Sequence, residues 1–220
     1  MMQLLIATQN RHKRAELATI FPDHDVITPA DLGLDFDVDE TGDSFVANAL
    51  LKARYLSELV RSGAAQPAPG STTTGISAPV IIADDSGLCV DALAGGPGIY
   101  SARFGSPDGG KTELDAATRN QLLLQALEGA ERRTARFVCC MTALLPRDRI
   151  LVVQETWEGE IARSASRGTG GFGYDPVFYL PGLGCTAADL PPEEKNRLSH
   201  RGRASKVLAT GLATAVGLPE

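Results

Sequence analysis

The chain opens on Gln3-Leu4-Leu5-Ile6-Ala7-Thr8, a short apolar run that ends in polar residues and passes at once into helix-forming sequence. A compact apolar run bounded in this way is the pattern of a buried strand. Lys13 to Phe21 then places Leu17, Ile20 and Phe21 at helical spacing, and Pro22 stops the helix. Strand, loop and helix in immediate succession start an α/β sheet, with Thr8 to Lys13 forming the loop and the first helical turn. Loops at strand ends are where such folds carry function.

The remaining elements extend this start. Asp31 to Thr41 is acidic and weakly periodic, and reads as loop with a short strand. Ser44 to Val60 reads as a long helix with Phe45, Ala49, Ala53, Leu56 and Val60 in one apolar stripe, while Asn48 and Lys52, four apart, share a different face. Pro79 to Ala83 is a β-branched strand, and Leu88 to Leu93 a further one separated from it by Asp84 to Gly87. Gly95-Gly96-Pro97-Gly98 is turn chemistry, and Glu113 to Leu127 a helix. Ala135 to Leu145 and Arg149 to Trp157 form a hairpin around Pro146-Arg147-Asp148. Gly168 to Gly173 is a glycine-dense loop, Val177 to Leu180 a short strand, and Ser199 to Ala215 a last helix capped by Ser199. Early alternation followed by a hairpin predicts a mixed α/β sheet flanked by helices. Ser62 to Ala78, rich in Ala, Pro, Gly, Ser and Thr, reads as a flexible surface insertion in a single domain over residues 1–220.

Composition narrows the partners. A net charge of −6 argues against polymeric nucleic acid, since a phosphate-rich duplex would be repelled on average. The N-terminus lacks the charged start and apolar core of a signal peptide, and no run approaches a membrane span, so a cytoplasmic protein without membrane contact is expected. Cys89, Cys139, Cys140 and Cys185 have neither CxxC spacing nor histidines at zinc-site spacing, and read as reduced core residues.

Asp84-Asp85-Ser86-Gly87 directly after an apolar strand is the sharpest chemical feature. Two carboxylates at a strand end can hold a hard cation or take a proton from water, and glycine allows a sharp turn beside a ligand. Alone, the same four residues also suit a solvated Asx-turn. Asp37, Asp39 and Glu40 form a second acidic group; magnesium takes only one or two protein carboxylates, so Glu40 with Asp85 would suffice. Lys13, Lys52, Lys195 and the His200-Arg201 pair lie beside loops and would meet phosphate if those loops converge. Lys13 sits in a first helical turn, where free N–H groups already favour anions. Gly170-Gly171-Phe172-Gly173-Tyr174-Asp175-Pro176 sets aromatics among glycines, which suits either a planar ring against backbone amides or a structural turn with core aromatics. It is neither a Walker A loop nor a strand-helix GxGxxG.

These blocks together resemble the inosine triphosphate pyrophosphatase or HAM1-like family of non-canonical purine nucleoside triphosphate pyrophosphatases. The resemblance rests on Ala7-Thr8-Gln9-Asn10 with Lys13 and Glu16; Glu40-Thr41-Gly42 with Phe45 and Asn48-Ala49; Lys52-Ala53; and Ala83-Asp84-Asp85-Ser86-Gly87-Leu88. It continues through Pro97-Gly98-Ile99-Tyr100-Ser101-Ala102-Arg103, Gly171-Phe172-Gly173-Tyr174-Asp175-Pro176, Glu194-Lys195 and Ser199-His200-Arg201-Gly202. It spans nearly the whole chain, in the family's order. Two departures touch no matched residue: the 62–78 stretch is longer than the family's usual connection, and Gly105 to Lys111 is irregular.

The resemblance implies an elongated α/β fold with a mixed central sheet flanked by helices, two lobes with a substrate cleft between them, and a homodimer. It implies magnesium as cofactor, with Glu40 and Asp85 as metal ligands and Asp85 as general base. Thr8, Gln9, Asn10, Arg11, His12 and Lys13 would bind phosphates, with Lys52 adding charge, and Ser86 would contact substrate. Phe172, Gly173, Tyr174, Asp175 and Lys195 would complete the nucleotide site, with His200 and Arg201 near the purine. The implied reaction converts ITP, dITP or XTP to monophosphate and pyrophosphate. Two other readings of the carboxylates stand beside it: a phosphomonoesterase with an aspartate nucleophile, and a nucleotide sensor without turnover.

Overall fold

The computed structural model describes residues 3–63, 79–108 and 112–216. The insertion expected at 62–78 falls outside the described residues from 64 onward, as does the end of the irregular 105–111 stretch. Among the described residues, seven strands form one open sheet in the order β2-β1-β3-β4-β5-β6-β7. They are β1 (Gln3–Ile6), β2 (Asp25–Ile27), β3 (Val80–Val90), β4 (Thr134–Leu145), β5 (Arg149–Ile161), β6 (Phe178–Leu180) and β7 (Cys185–Thr186). The helices are α1 (Arg11–Ile20), α2 (Phe45–Arg61), α3 (Ala116–Ala126), α4 (Pro192–Leu198) and α5 (His200–Val216). The mixed α/β sheet read from the alternation is the fold.

β1 lies parallel to both β2 and β3, with Leu4, Leu5 and Ile6 opposite Val80, Ile81 and Ile82. Parallel neighbours need a crossover between them, and α1 and α2 supply it. This explains why Leu4, Leu5 and Ile6 of β1 are all apolar and buried: a strand covered on both faces has no side for water. Only three residues join β4 to β5, so these strands run antiparallel. Arg147 and Asp148 take φ of 64° and 55° there, the sign a type I′ hairpin needs at both central residues. β6 pairs antiparallel with β5 and β7 with β6.

The chain divides into two compact units. The first comprises Met1–Asp85, Cys140–Gln154 and Ala204–Glu220, with a core of Leu5, Ala7, Ile27, Leu32, Phe36, Ala53, Leu56, Ile81 and Ala83. The second comprises Ser86–Cys139 and Glu155–Arg203. Its core centres on Phe178, whose ring lies 4.5 Å from that of Phe137 and 5.5 Å from that of Trp157. Among the described residues no helix is long and apolar enough to cross a membrane. None of the four cysteines is in a disulfide; Cys89, Cys139 and Cys140 are buried and Cys185 is half-buried.

Several sequence expectations are corrected. The break expected between two strands at Asp84 to Gly87 is absent, and β3 runs straight through it. The backbone keeps its partners: the Leu88 N–H donates to Ser101 Oγ at 2.8 Å, and the Val90 N–H to the Gly96 carbonyl at 2.9 Å. The strand expected within Asp31 to Thr41 is instead β2, six residues earlier. After it, Thr28 and Asp31 close a capping box, with the Thr28 N–H and hydroxyl on Asp31 Oδ2 at 2.8 and 2.7 Å, and start a 3-10 helix over Pro29–Leu32. α4 and the two-residue β7 were not anticipated. Pro192 at the first helical position, with Glu193 and Glu194 after it, is the signal for α4.

Phe178→Ala removes the ring shared by this aromatic group and should lower unfolding free energy by about 3–5 kcal/mol in urea denaturation. A loss under about 1 kcal/mol would show that the cluster does not hold the second unit together.

Candidate active site

The candidate residues gather in two groups, one in each unit. In the first unit the loop after β1 is closed on itself. Thr8 Oγ1 accepts from the Asn10 N–H at 3.1 Å, and Asn10 Oδ1 from the Lys13 N–H at 3.2 Å, which caps α1. The Gln9 side-chain amide donates to the Phe36 carbonyl. Arg11 and His12 open α1, and their side chains lie outside the described residues. Lys13 reaches from the first turn to Asp84 Oδ2 at 2.9 Å.

Consecutive strand residues face opposite sides of a sheet, so Asp84 and Asp85 address different helices. Asp84 meets Lys13 of α1, whereas Asp85 meets α2: its Oδ1 accepts from Lys52 Nζ at 3.3 Å and its Oδ2 from Asn48 Nδ2 at 3.2 Å. Lys52 Nζ also donates to Glu40 Oε1 at 2.8 Å. Asn48 Oδ1 accepts the Gly42 N–H at 2.8 Å, so one amide ties the 40–42 loop to Asp85. Asp84 and Asp85 are only 2% and 5% exposed.

Burial raises the Asp85 carboxyl above its ordinary range; Lys52 opposes this and Glu40 reinforces it. For Lys52 burial acts downward, but Asp85, Asp84 and Glu40 outweigh it and hold the ammonium firmly protonated. The two shifts share a direction for different reasons: burial dominates at Asp85, and the surrounding carboxylates dominate at Lys52. The nearby Cys140 thiol is pushed up to about 11 by burial and these aspartates, so it stays protonated and inert. Attraction across ~3 Å amounts to about 5 kcal/mol at an effective dielectric near 20. That is comparable with the several kcal/mol that desolvating each ion costs, so the network fixes geometry more than it stabilises the fold. Asp85, buried, perturbed and met by aimed partners, carries the mark of a chemical centre.

In the second unit Asp175 organises the glycine-rich loop. Its Oδ2 accepts from the Phe172 N–H at 2.6 Å and from Lys195 Nζ at 2.7 Å. Gly171 is required there: at φ 72°, an added Cβ would stand 2.1 Å from Asp175 Oδ2. Lys195 Nζ lies 4.8 Å and the Arg201 guanidinium 5.6 Å from the centre of the Phe172 ring, a cation–π arrangement. Arg201 Nη2 donates to Ser86 Oγ at 2.9 Å. His200 is buried with its ring stacked on Phe137 at 4.8 Å and 9°. Ser199 Oγ accepts the Gly202 N–H at 3.1 Å and so caps α5. A Cβ on Gly202 would fall 1.6 Å from the Asn196 carbonyl, so only glycine lets α5 begin this close to α4.

Tyr174 turns into the core, with its hydroxyl donating to the Ser101 carbonyl at 2.7 Å. Asn48 and Asn120 join the groups without having been singled out as site residues, and Asp84, read from the sequence as one of two carboxylates without a role of its own, pairs with Lys13. Asn120 Nδ2 donates to the Gly173 carbonyl at 3.1 Å. For Asn48 the signal was its four-residue spacing from Lys52; for Asn120 the sequence carries no comparable cue.

An α/β protein with buried carboxylates and lysines at the parallel end of its sheet, and a glycine loop lined by cations, is equipped for phosphate-bearing ligands. The Ham1 family model matches residues 4–210, and the chain belongs to that family. It is 44% identical to a dITP/XTP pyrophosphatase of Treponema denticola over 92% of this chain and 94% of the relative. It is 42% identical to one of Methylococcus capsulatus over 98% of each. Among solved structures, the Ham1 protein of Staphylococcus aureus superposes with a TM-score of 0.78 at 37% identity, covering 97% of this chain and 99% of that one. A Coxiella burnetii HAM1 protein gives 0.77 at 38% identity, covering 97% and 100%.

Gly171 and Gly173 both take positive φ, but nothing lies within 4 Å of a Cβ placed on Gly173. Gly173→Ala should therefore cost only the backbone term, about 1–2 kcal/mol. Gly171→Ala should cost clearly more, as measured by chemical denaturation. Equal losses would mean that Asp175 does not hold the loop closed.

Proposed function

We propose that this protein hydrolyses non-canonical purine nucleoside triphosphates, ITP, dITP and XTP, to the monophosphate and pyrophosphate. The observation that carries the proposal is the Asp85 carboxylate, buried in β3 and gripped by Asn48 and Lys52 while Glu40 shares the same ammonium. Family membership and the dITP/XTP pyrophosphatase relatives support the substrate class.

Glu40 and Asp85 fit a divalent cation. Both present carboxylate oxygen, and both converge on one positive atom. Among the described residues no three His, Cys, Asp or Glu side chains form a metal-holding group, and magnesium needs only one or two protein carboxylates. Held there, magnesium would neutralise triphosphate charge and polarise phosphoryl oxygen. Asp85 positions a water and takes its proton as the water attacks the α-phosphorus, and pyrophosphate leaves. Lys13 and Lys52 offset charge on the phosphoryl oxygens, with the capped loop of Thr8, Gln9, Asn10, Arg11 and His12 providing N–H groups at a helix start. Ser86, Phe172, Gly173, Tyr174, Asp175, Lys195, His200 and Arg201 hold the nucleoside part, Tyr174 from the core and the others through loop and cations. Donors facing a 6-oxo purine would go unpaired against adenine's amino group, a penalty of about 1–3 kcal/mol per buried group. The whole chain acts as one pyrophosphatase domain and, as the family resemblance implies, as a homodimer.

Incubation with ITP and magnesium should yield IMP and pyrophosphate, and Asp85→Asn should lower kcat at least about a hundredfold while circular dichroism stays unchanged. Orthophosphate as first product would point to a phosphomonoesterase, and tight binding without turnover to a sensor.

A further inference from the structure

Lys52 Nζ stands 2.8 Å from Glu40 Oε1 and 3.3 Å from Asp85 Oδ1. Its side chain is about 8% exposed, whereas that of Glu40 is about 30% exposed and gives solvent a way in. The two carboxylates are not held together by Lys52 alone. Asn48 spans from Asp85 Oδ2 to the Gly42 N–H and keeps the 40–42 loop against β3 by contacts that leave Lys52 out. The carboxylate pair therefore keeps its convergence if the ammonium leaves. A lysine carries a compact charge on a flexible four-carbon stem, the side chain best able to swing aside.

An ammonium and a divalent cation cannot both take this oxygen pair, because like charges a few ångströms apart in a buried setting repel strongly. We propose that Lys52 is the resident occupant of the Glu40–Asp85 cation site. Its ammonium closes the carboxylate pair in the metal-free protein and exchanges with the divalent cation. Metal entry thereby releases a positive charge that the polyphosphate of a nucleotide takes up. Cation binding and polyphosphate binding are then coupled through one side chain, and each strengthens the other. The inference rests on Glu40 and Asp85 being the metal ligands.

Mn2+ binding to the full-length, nucleotide-free protein, followed by electron paramagnetic resonance, tests the exchange without turnover. Lys52→Met removes the competitor and should bind Mn2+ at least about tenfold more tightly than the unaltered protein, ~1.4 kcal/mol. Lys52→Arg keeps the charge and should not tighten binding. Equal or weaker binding by Lys52→Met overturns the exchange. Glu40→Gln separates this from the parent reading. If Mn2+ binding falls in Glu40→Gln but does not tighten in Lys52→Met, only the exchange fails; if Glu40→Gln binds as well as the unaltered protein, or if neither the unaltered protein nor Lys52→Met binds Mn2+, the metal assignment fails with it. A readout on the unaltered protein covers the case in which Lys52→Met does not fold. Reductive methylation mapped by mass spectrometry should find Lys52 protected without metal and labelled several-fold faster with saturating Mg2+. Persistent protection contradicts the proposal.

Discussion

Two consecutive aspartates inside a strand of a buried sheet keep their charge only if each meets a positive partner, and that requirement shapes the first unit. An unpaired buried carboxylate costs several kcal/mol or gives up its charge. β3 meets the requirement from both faces: α1 brings Lys13 to Asp84, and α2 brings Lys52 to Asp85. The helices that make parallel pairing possible are therefore also the helices that pair the charges. Asn48 extends the arrangement to the 40–42 loop, so Glu40 is placed by the same helix that carries Lys52. Scaffold and chemistry share their parts, and the carboxylates keep a fixed geometry without adding much net stability.

The second unit solves a related problem with backbone. Asp175 spends one oxygen on the Phe172 N–H and on Lys195, which turns a glycine-dense loop into a defined shape. Gly171 is a condition of that shape, since any side chain there would strike the carboxylate. Lys195 and Arg201 gather at the Phe172 ring, and Arg201 also reaches Ser86, the residue next to Asp85 in the chain.

Much of this was legible in the residues. Apolar runs, helical spacing and the Pro146-Arg147-Asp148 turn gave the mixed sheet, because strand burial and helix periodicity leave direct marks on sequence. The Asp-Asp-Ser-Gly segment was legible as chemistry but misread as conformation. Polar, glycine-ended tetrapeptides usually turn, but this one continues as strand with Lys13, Lys52 and Asn48, from two helices distant in sequence, on its aspartates. Asn48 and Lys52 were seen to share a face, yet that face is buried, since its polar groups find partners on β3 and the 40–42 loop. The roles of Asn120 and of the Tyr174 hydroxyl rest on contacts across long stretches of chain, which no local pattern encodes.

The central claim is that Asp85 directs water to the α-phosphorus. Hydrolysis of ITP in water enriched in oxygen-18, with products resolved by mass spectrometry, tests it most directly. The label should appear in the monophosphate and be absent from pyrophosphate. Label in pyrophosphate, or in orthophosphate, would place the attack on a different phosphorus and contradict the account.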